Sequence, residues 1–387
     1  METKKLYYDD SHLKTFSATV TGCAQVKKGW EITLDATAFY PEGGGQPADT
    51  GMLGDSAVLD VQERGGDIVH LCDKPLEVGA SVKGEIDWLR RFDFMQQHSG
   101  EHMVSGVIHA LYGYHNVGFH MGADVVTIDF DGYIPPEALE EIEAKVNSAI
   151  WENTPVRCFY ATEEQLKTLP YRRKKDLLPP VRLVEFPGID LCACCGTQVT
   201  FTGEIGLVKL LSCVKFHEGV RMEMVCGKRA LERLGKVYDQ NRLVSQTFSA
   251  KILETGEAAK RTKDALGAEK LRSTELEKRL FDQIAQSYGE ESMAVHFEKN
   301  LSPTQNRNLC DAIARQCALA ITLSGTDKTG YSLCIMSHTR DVRALGQQIT
   351  AHFSGNGGGK PEAFQGNLKA TAEELREFFR QIYENEK

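Results

Sequence analysis

The first ninety residues alternate apolar and polar positions over short runs that are separated by glycine and aspartate. The runs 20–26, 30–34, 57–61 and 68–71 show the period of two that is typical of half-buried strands. Because the runs are short and closely spaced, they predict a small antiparallel barrel or sandwich. We expect a separate β-barrel domain over residues 1–90, with a glycine-rich loop at 42–46.

From Trp88 onward the apolar period lengthens to that of a helix. Met95, His98, His102 and Ile108 recur at helical spacing. Further along, the pattern predicts a strand over 125–130, a helix over 135–150, a short helix over 160–169, and strands over 181–186 and 205–211. This alternation predicts an α+β domain over residues 91–245.

The next stretch is rich in charged residues, leucine and alanine, and Leu276, Leu280 and Ile284 repeat every four positions. It predicts a helical linker or coiled-coil arm over residues 246–290. Because Gly256 and Gly267 interrupt the pattern, we expect a broken helix there.

The remaining residues, 291–387, predict a C-terminal α/β domain. Two strand-like runs, at 319–324 and 331–337, precede a helix at 345–349. A glycine-rich loop at 355–361 and a closing helix over 368–383 follow.

Composition narrows the class of protein. The 387 residues are 41% hydrophobic and 26% charged, as in soluble globular proteins of two or three domains. No apolar run is long enough to cross a membrane, and the N-terminus has no secretory signal pattern. Eleven cysteines, an odd number, favour free thiols in a reducing cytoplasm. The net charge of −9 means that any nucleic-acid contact must be local.

Residues 98–102 read His-Ser-Gly-Glu-His and carry the clearest chemistry. Two histidines at i and i+4 share one helix face, and imidazole nitrogens are common zinc ligands. The downstream segment 194–198, Cys-Cys-Gly-Thr-Gln, offers a thiolate on a tight turn. The zinc-protease motif is excluded, because Ser99 stands where that motif needs glutamate.

A second segment, residues 37–51, reads Thr-Ala-Phe-Tyr-Pro-Glu-Gly-Gly-Gly-Gln-Pro-Ala-Asp-Thr-Gly. It resembles a signature of alanyl-tRNA editing domains. Residues 95–102 and 194–206 resemble two further elements of the same family, in the same order and spacing. Residues 355–366 resemble the glycine-rich signature of the C-terminal domain of alanyl-tRNA synthetase. Together these segments resemble a long freestanding alanyl-tRNA editing protein of the AlaX type.

The resemblance implies a zinc site formed by His98, His102 and Cys194. The family's last ligand is a histidine, whereas this chain has Gln198, whose amide oxygen is a poor zinc ligand. Three outcomes are open. Gln198 binds weakly or through water, Cys192 or Cys195 closes the site, or the metal and the activity are lost. We expect zinc on the first three residues, with an open fourth position.

The resemblance also implies hydrolysis of mischarged aminoacyl-tRNA, mainly Ser-tRNA(Ala) and secondarily Gly-tRNA(Ala). Thr37 is expected to contact the serine hydroxyl, and Gln46 the ester carbonyl or the terminal ribose. Zinc would either activate a water or fix the amino group of the substrate.

Mischarged tRNA(Ala) is thus the expected partner. The basic run Arg172, Arg173, Lys174 and Lys175, and Lys360 in the glycine loop, are the candidate RNA contacts. The helical arm or the C-terminal domain offers a route to a homodimer.

Three alternatives remain. The first is a zinc-stabilised tRNA-binding protein that lacks hydrolytic activity. The second, a phosphoesterase suggested by the last domain, lacks an aspartate-rich catalytic segment in the sequence. The third is a redox protein using Cys192, Cys194 and Cys195, but the Cys-x-x-Cys pair 192 and 195 lacks a surrounding thioredoxin-like pattern.

Overall fold

The computed structural model describes residues 2–173, 179–289 and 292–385. The chain divides into two compact units, Met1–Leu243 and Val244–Lys387. The mixed α+β class is confirmed, since helices and several separate sheets occur. Within the described ranges, every helix is too short or too polar to cross a bilayer.

The first unit begins with a closed barrel. The first eight strands and the first helix of the unit are β1 Lys4–Lys5, α1 Leu6–Asp9, β2 Thr15–Val26, β3 Gly29–Leu34, β4 Ala36–Thr37, β5 Gly51–Leu53, β6 Ser56–Arg64, β7 Asp67–Cys72 and β8 Ser81–Ile86. The barrel order is β2-β3-β7-β6-β5-β8, and β1 pairs with β4 in parallel beside it. Alternate side chains of the barrel strands are buried, which produces a core around Phe39, Ile32 and Val61. The predicted strands of residues 20–71 are therefore confirmed.

The rest of the first unit wraps two sheets around a long helix. Its elements are α2 Trp88–Tyr112, β9 Asn116–Met121, β10 Val126–Phe130, α3 Leu139–Trp151, β11 Arg157–Ala161, α4 Glu163–Thr168, β12 Val181–Phe186, β13 Asp190–Ala193, β14 Val208–Phe216, β15 Gly219–Cys226 and α5 Gly227–Phe248. The sheet orders are β14-β15-β10-β9 and β11-β12-β13. Short 3-10 turns cover Pro136–Ala138 and Thr202–Ile205.

The prediction of one helix over residues 160–169 is wrong in its first part. Tyr160 and Ala161 end strand β11, which pairs with β12. Helix α4 begins only after Thr162, whose side chain caps it by accepting a hydrogen bond from the Gln165 backbone N–H.

Within its described residues, the second unit contains the last turn of α5, a five-stranded sheet and four further helices. Its elements, after a 3-10 turn at Ile252–Glu254, are α6 Thr255–Gln286, β16 Ala294–Glu298, α7 Pro303–Ala314, β17 Ala320–Thr326, β18 Gly330–Met336, α8 Arg343–His352, β19 Asn356–Lys360, β20 Ala363–Leu368 and α9 Ala372–Asn385. The strand order is β16-β17-β18-β20-β19. Helix α7 packs against α6 around Phe281 and Leu309.

The helical stretch is broken, as predicted, but two glycine-based assignments are wrong. Gly256 and Gly267 lie inside the continuous helix α6, where each costs only about 1 kcal/mol relative to alanine. The helical stretch breaks earlier, at Ser249, whose φ is 49°. The predicted glycine loop at 355–361 is the edge strand β19, because its backbone pairs with β20.

Candidate metal centre

Helix α2 carries the two candidate imidazoles through the middle of the first unit. The Asp87 side chain caps its N-terminus and Gly113, with φ 73°, ends it in the left-handed conformation. Every residue from Phe94 to Ile108 is buried. The rings of His98 and His102 stack one turn apart, with centroids separated by 5.4 Å. The predicted shared helix face is confirmed.

Strand β13 and the following turn bring a thiol to these imidazoles. The Cys194 Sγ atom lies 3.4 Å from His98 Nε2. The ligand atoms of His98, His102 and Cys194 all lie within 4.8 Å of one another. Zinc–sulfur and zinc–nitrogen bonds at a tetrahedral angle separate two such ligand atoms by roughly 3.6 Å. The three donors therefore fit around one cation of this kind.

Glycine at position 196 makes this close approach possible. A Cβ atom there would lie 2.1 Å from His98 Cε1 and 2.3 Å from His98 Nδ1. The imidazole and the cysteine turn therefore meet only because Gly196 has no side chain.

The ring of His102 is anchored on one nitrogen and open on the other. Its Nδ1 atom lies 2.9 Å from Asp190 Oδ2, and Arg172 donates two 2.7 Å bonds to the same carboxylate. Its Nε2 atom is buried and has no hydrogen-bond partner among the described residues. A buried unpaired nitrogen costs free energy, which a bound cation would recover.

Gln46 anchors His98 in a similar way. Its Oε1 accepts from the Thr197 backbone N–H at 3.2 Å, and its Nε2 donates to Thr197 Oγ1 at 2.8 Å. Since Oε1 is an acceptor, the His98 Nδ1 atom, 2.9 Å away, carries the proton. His98 Nε2 then presents a lone pair toward Cys194. Gln46 is fully buried and does not line the cavity described below, so the structure does not bring it to the predicted substrate contact.

Gln198 is turned away from ligation. Its Oε1 accepts a 2.7 Å bond from Ser99 Oγ, and its Nε2 lies 3.6 Å from Cys194 Sγ. Ser99 Oγ itself accepts from the Val199 backbone N–H, so its only proton goes to Gln198. The amide therefore donates toward the sulfur, and the predicted ligand role of Gln198 is not what the structure has.

The electrostatics favour a thiolate. Burial by itself raises the pKa of the Cys194 thiol, but the imidazoles of His98 and His102 outweigh it and hold that pKa well below its usual value. Burial by itself lowers the pKa of His102, whereas the Cys194 thiolate and the Asp190 carboxylate raise it well above its usual value. A thiolate is the form that binds metal.

All three donors line one cavity of about 950 Å³. Its wall contains more cationic than acidic side chains: Lys4, Lys5, Arg172, Arg173 and Arg182 against Glu2, Asp9 and Glu101. Its volume is in the range of small-molecule binding sites.

Family models and named proteins are similar to parts of this chain or to nearly all of it. Residues 2–90 match the family model "tRNA synthetases class II (A)", and residues 181–223 match "Threonyl and Alanyl tRNA synthetase second additional domain". The alanyl-tRNA editing protein Aarsd1 of Mus musculus is 27% identical over 94% of this chain and 93% of its own. The alanyl-tRNA editing protein AlaX-L of Pyrococcus horikoshii is 26% identical over 96% of both.

The chain is a relative of the alanyl-tRNA editing proteins. It is also 32% identical, over 95% of its length, to the alanine–tRNA ligase of Thermofilum pendens, but spans only 42% of that enzyme. The C-Ala domain of Aquifex aeolicus alanyl-tRNA synthetase aligns with 25% of the chain at 17% identity and a TM-score of 0.22.

Thr37 lies away from the cavity, although the sequence predicts that it contacts the serine hydroxyl of the substrate. It is fully buried, and its Oγ1 atom lies 2.8 Å from His70 Nε2 and accepts from the Phe39 backbone N–H at 3.1 Å. His70 Nδ1 faces the Ile32 carbonyl at 3.0 Å, so Nδ1 is protonated and Nε2 accepts the Thr37 proton. The hydroxyl is thus engaged inside the barrel.

Of the candidate RNA-binding residues, 172–175 and 360, those that the structure describes lie in different environments. The side chain of Arg172 is 12% exposed and pairs with Asp190, which makes it a structural partner of the site. Arg173 is exposed at the cavity, and Lys174 and Lys175 lie outside the described residues. Lys360 is exposed on β19, in the second unit.

Several cavity residues were missed by sequence reasoning. Glu101 accepts hydrogen bonds from Ser105 and Asn116. Burial raises its pKa, but His102, Arg172 and His98 lower it further, so the pKa lies below its usual value. Its position three residues after His98, on the same helix face, was a usable signal. Tyr8 and Tyr160 also line the cavity, and no local motif marks them.

Proposed function

We propose that this chain deacylates mischarged tRNA(Ala) in a zinc-dependent reaction, with Ser-tRNA(Ala) as the main substrate and Gly-tRNA(Ala) as the second. The observation that carries the proposal is the convergence of His98, His102 and Cys194 in one cavity, with His102 Nε2 left unpaired. The printed name of the near full-length relatives, alanyl-tRNA editing protein, supports the same reaction.

The physical need for a second site is clear. A pocket that accepts alanine rejects the added hydroxyl of serine only about a hundredfold by shape. A separate hydrolytic site improves fidelity, because it acts on the ester after charging.

The proposed metal holders are His98, His102 and Cys194. Bound there, zinc would supply Lewis acidity, which either lowers the pKa of an attacking water or fixes the amino group of the substrate. Gln46 and Asp190 hold the two imidazoles so that each Nε2 faces the cavity. The Glu101 carboxylate offers a negative charge near the ligands, which suits the ammonium group of an aminoacyl ester.

RNA binding is proposed at the cavity entrance, because the net charge of the chain is −9 and cationic side chains are concentrated at the cavity. Arg173, at the cavity, is a proposed phosphate contact, as are Lys174 and Lys175, which lie outside the described residues. Lys360 is proposed as a separate contact on the second unit. Charge reversal at Lys174 and Lys175 is expected to weaken tRNA binding and to flatten its salt dependence. An unchanged salt slope would argue against this contact.

We also propose that the chain has four domains. Residues 1–90 form the barrel, 91–245 the zinc-containing editing domain, 246–290 the helical arm and 291–387 the C-terminal domain. The arm or the C-terminal domain would form a homodimer, and the free thiols suit the cytoplasm.

The decisive experiment measures amino-acid release from Ser-tRNA(Ala), Gly-tRNA(Ala) and Ala-tRNA(Ala), with metal content determined on the same sample. Cys194→Ala is expected to lose zinc and hydrolysis. Cys23→Ala is the matched control, because Cys23 lies on barrel strand β2 and does not line the cavity.

Three results would contradict the proposal. Protein without stoichiometric zinc excludes the metal. Equal release of serine and alanine excludes editing. Zinc-loaded protein that binds tRNA without hydrolysis identifies the alternative, a zinc-stabilised tRNA-binding protein.

A further inference from the structure

An aromatic and cationic group lies beside the candidate ligands. The Arg182 guanidinium carbon is 4.8 Å from the centre of the Tyr8 ring. The Tyr8 ring meets Tyr160 edge to face, with centroids 6.5 Å apart. Tyr160 and Arg182 are cross-strand partners on β11 and β12. We call Tyr8, Tyr160 and Arg182 the aromatic platform.

The platform is held rigidly. Arg182 Nη1 donates to the Cys194 carbonyl at 2.8 Å and to the Gly196 carbonyl at 3.1 Å. The Tyr8 hydroxyl donates to the Cys195 carbonyl at 3.0 Å. Both anchors belong to the turn that carries the candidate ligand Cys194. Tyr8 and Arg182 therefore have a fixed position relative to the Cys194 turn, and Tyr160 packs against Tyr8.

Tyr160 is the open member of this group. Its side chain lines the cavity, yet the residue keeps 55% of its surface exposed. An exposed aromatic ring next to a guanidinium is a surface on which an unpaired nucleobase stacks.

We propose that the aromatic platform binds the terminal nucleobase of the tRNA acceptor strand, stacked on Tyr160. This inference rests on the proposed function and extends it to the nucleotide end of the substrate. The aminoacyl ester is attached to the ribose of the terminal nucleotide, so one sugar separates ester and base. A base at Tyr160 thus places the ester toward the ligand turn.

Stacking alone does not distinguish the four bases, because each has a π face. The platform therefore contributes affinity and orientation, and the positive charge of Arg182 adds attraction for the strand. Its loss is expected to weaken binding of the acceptor end without removing the metal.

The test uses an uncharged RNA hairpin that reproduces an acceptor stem, with 2-aminopurine in place of the terminal adenine. Stacking quenches the fluorescence of this probe. Titrations compare the full chain, Tyr160→Ala, Tyr160→Phe and Tyr133→Ala. Tyr133 is the matched control, because it is 62% exposed and does not line the cavity.

The full chain and the Tyr133→Ala variant are expected to quench the probe equally. Tyr160→Ala is expected to lose most of the quenching and to bind roughly tenfold more weakly. Tyr160→Phe is expected to restore both, because it keeps the ring. A free energy of unfolding in denaturant equal to that of the unmodified chain verifies that Tyr160→Ala is folded.

Undiminished quenching by Tyr160→Ala, or binding by the full chain without quenching, overturns the platform. If Ser-tRNA(Ala) is still hydrolysed in that case, the proposed function stands without it. Quenching that depends on Tyr160 in a chain that hydrolyses no mischarged tRNA supports the platform and overturns the hydrolase. A chain that neither binds the hairpin nor hydrolyses the ester overturns both.

Discussion

Two histidines of the first unit, His70 and His98, are both buried. Each contacts a polar side chain through one ring nitrogen, but their other ring nitrogens face different groups. In the barrel, His70 contacts Thr37 through Nε2 and Ile32 through Nδ1. At the cavity, His98 contacts Gln46 through Nδ1, while its Nε2 faces Cys194. The first ring has both nitrogens occupied by groups of the barrel, and the second has one nitrogen facing the cavity that contains the candidate ligands.

This difference separates a structural histidine from a candidate metal ligand. Burial lowers the pKa of His70 from 6.5 to about 4, so the ring is neutral and serves as a fixed hydrogen-bonding group. For His98, the amide of Gln46 sets the tautomer that leaves Nε2 as a lone pair. A histidine becomes a candidate ligand when one of its nitrogens faces other metal-ligating atoms, as His98 Nε2 faces Cys194 Sγ.

The largest effect is expected when the two histidines are replaced in parallel. His98→Gln should lose stoichiometric zinc and reduce hydrolysis roughly thousandfold, the several kcal/mol that a Lewis-acid metal contributes. His70→Gln should retain zinc and lose stability. Elemental analysis, deacylation and denaturant unfolding of both variants give the comparison. Zinc loss from His70→Gln but not from His98→Gln would contradict the assignment of His98 as the ligand and His70 as the structural residue.

The second prediction concerns pH. The pKa of His70 is about 4 in the folded state, whereas the ordinary histidine value of 6.5 applies in the unfolded chain. Between these pH values only the unfolded chain gains a proton at this residue. Stability should therefore fall as pH decreases from 6.5 to 4, by about 3 kcal/mol for this group. The measurement is the free energy of unfolding of metal-free protein at pH 7.5 and 4.5. His70→Gln should show a smaller loss, and an equal loss would contradict the assignment.

Thr37→Val tests the barrel pair more finely. Valine removes the hydroxyl that occupies His70 Nε2, so the free energy of unfolding should fall by about 1–3 kcal/mol. Discrimination between Ser-tRNA(Ala) and Ala-tRNA(Ala) should not change, because Thr37 does not line the cavity. Reduced discrimination at unchanged stability would restore Thr37 as the serine reader.

The smallest effect is expected from Gln46→Leu. The change removes the acceptor of His98 Nδ1–H, so the zinc dissociation constant should rise about tenfold. Titration with a competing chelator measures it. Gln25→Leu, on the exposed side of β2, is the control. A variant that loses hydrolysis at unchanged zinc affinity would favour the sequence-based role of Gln46 in substrate contact.

Local patterns predicted the periodic elements well. The helical spacing of Met95, His98 and Ile108 marks α2, and its apolar positions between Phe94 and Ile108 are buried, as a core helix requires. Glycine was the weaker signal. In α6 two glycines are tolerated within a long helix, whereas in β19 three consecutive glycines form a paired strand. Neighbouring strands and helices, which a local pattern does not contain, decide between these outcomes.

The sequence by itself determined the ligand types and the shared helix face of His98 and His102, because i,i+4 geometry is a property of any helix. Only the tertiary structure decided which groups meet them: Cys194, Gln46 and Asp190 arrive from distant segments of the chain. The same long-range packing turned Thr37 toward His70, turned the Gln198 amide toward a sulfur, and brought Tyr8 beside Tyr160. Such contacts depend on how the barrel and the sheets close around α2, and no local spacing encodes that closure.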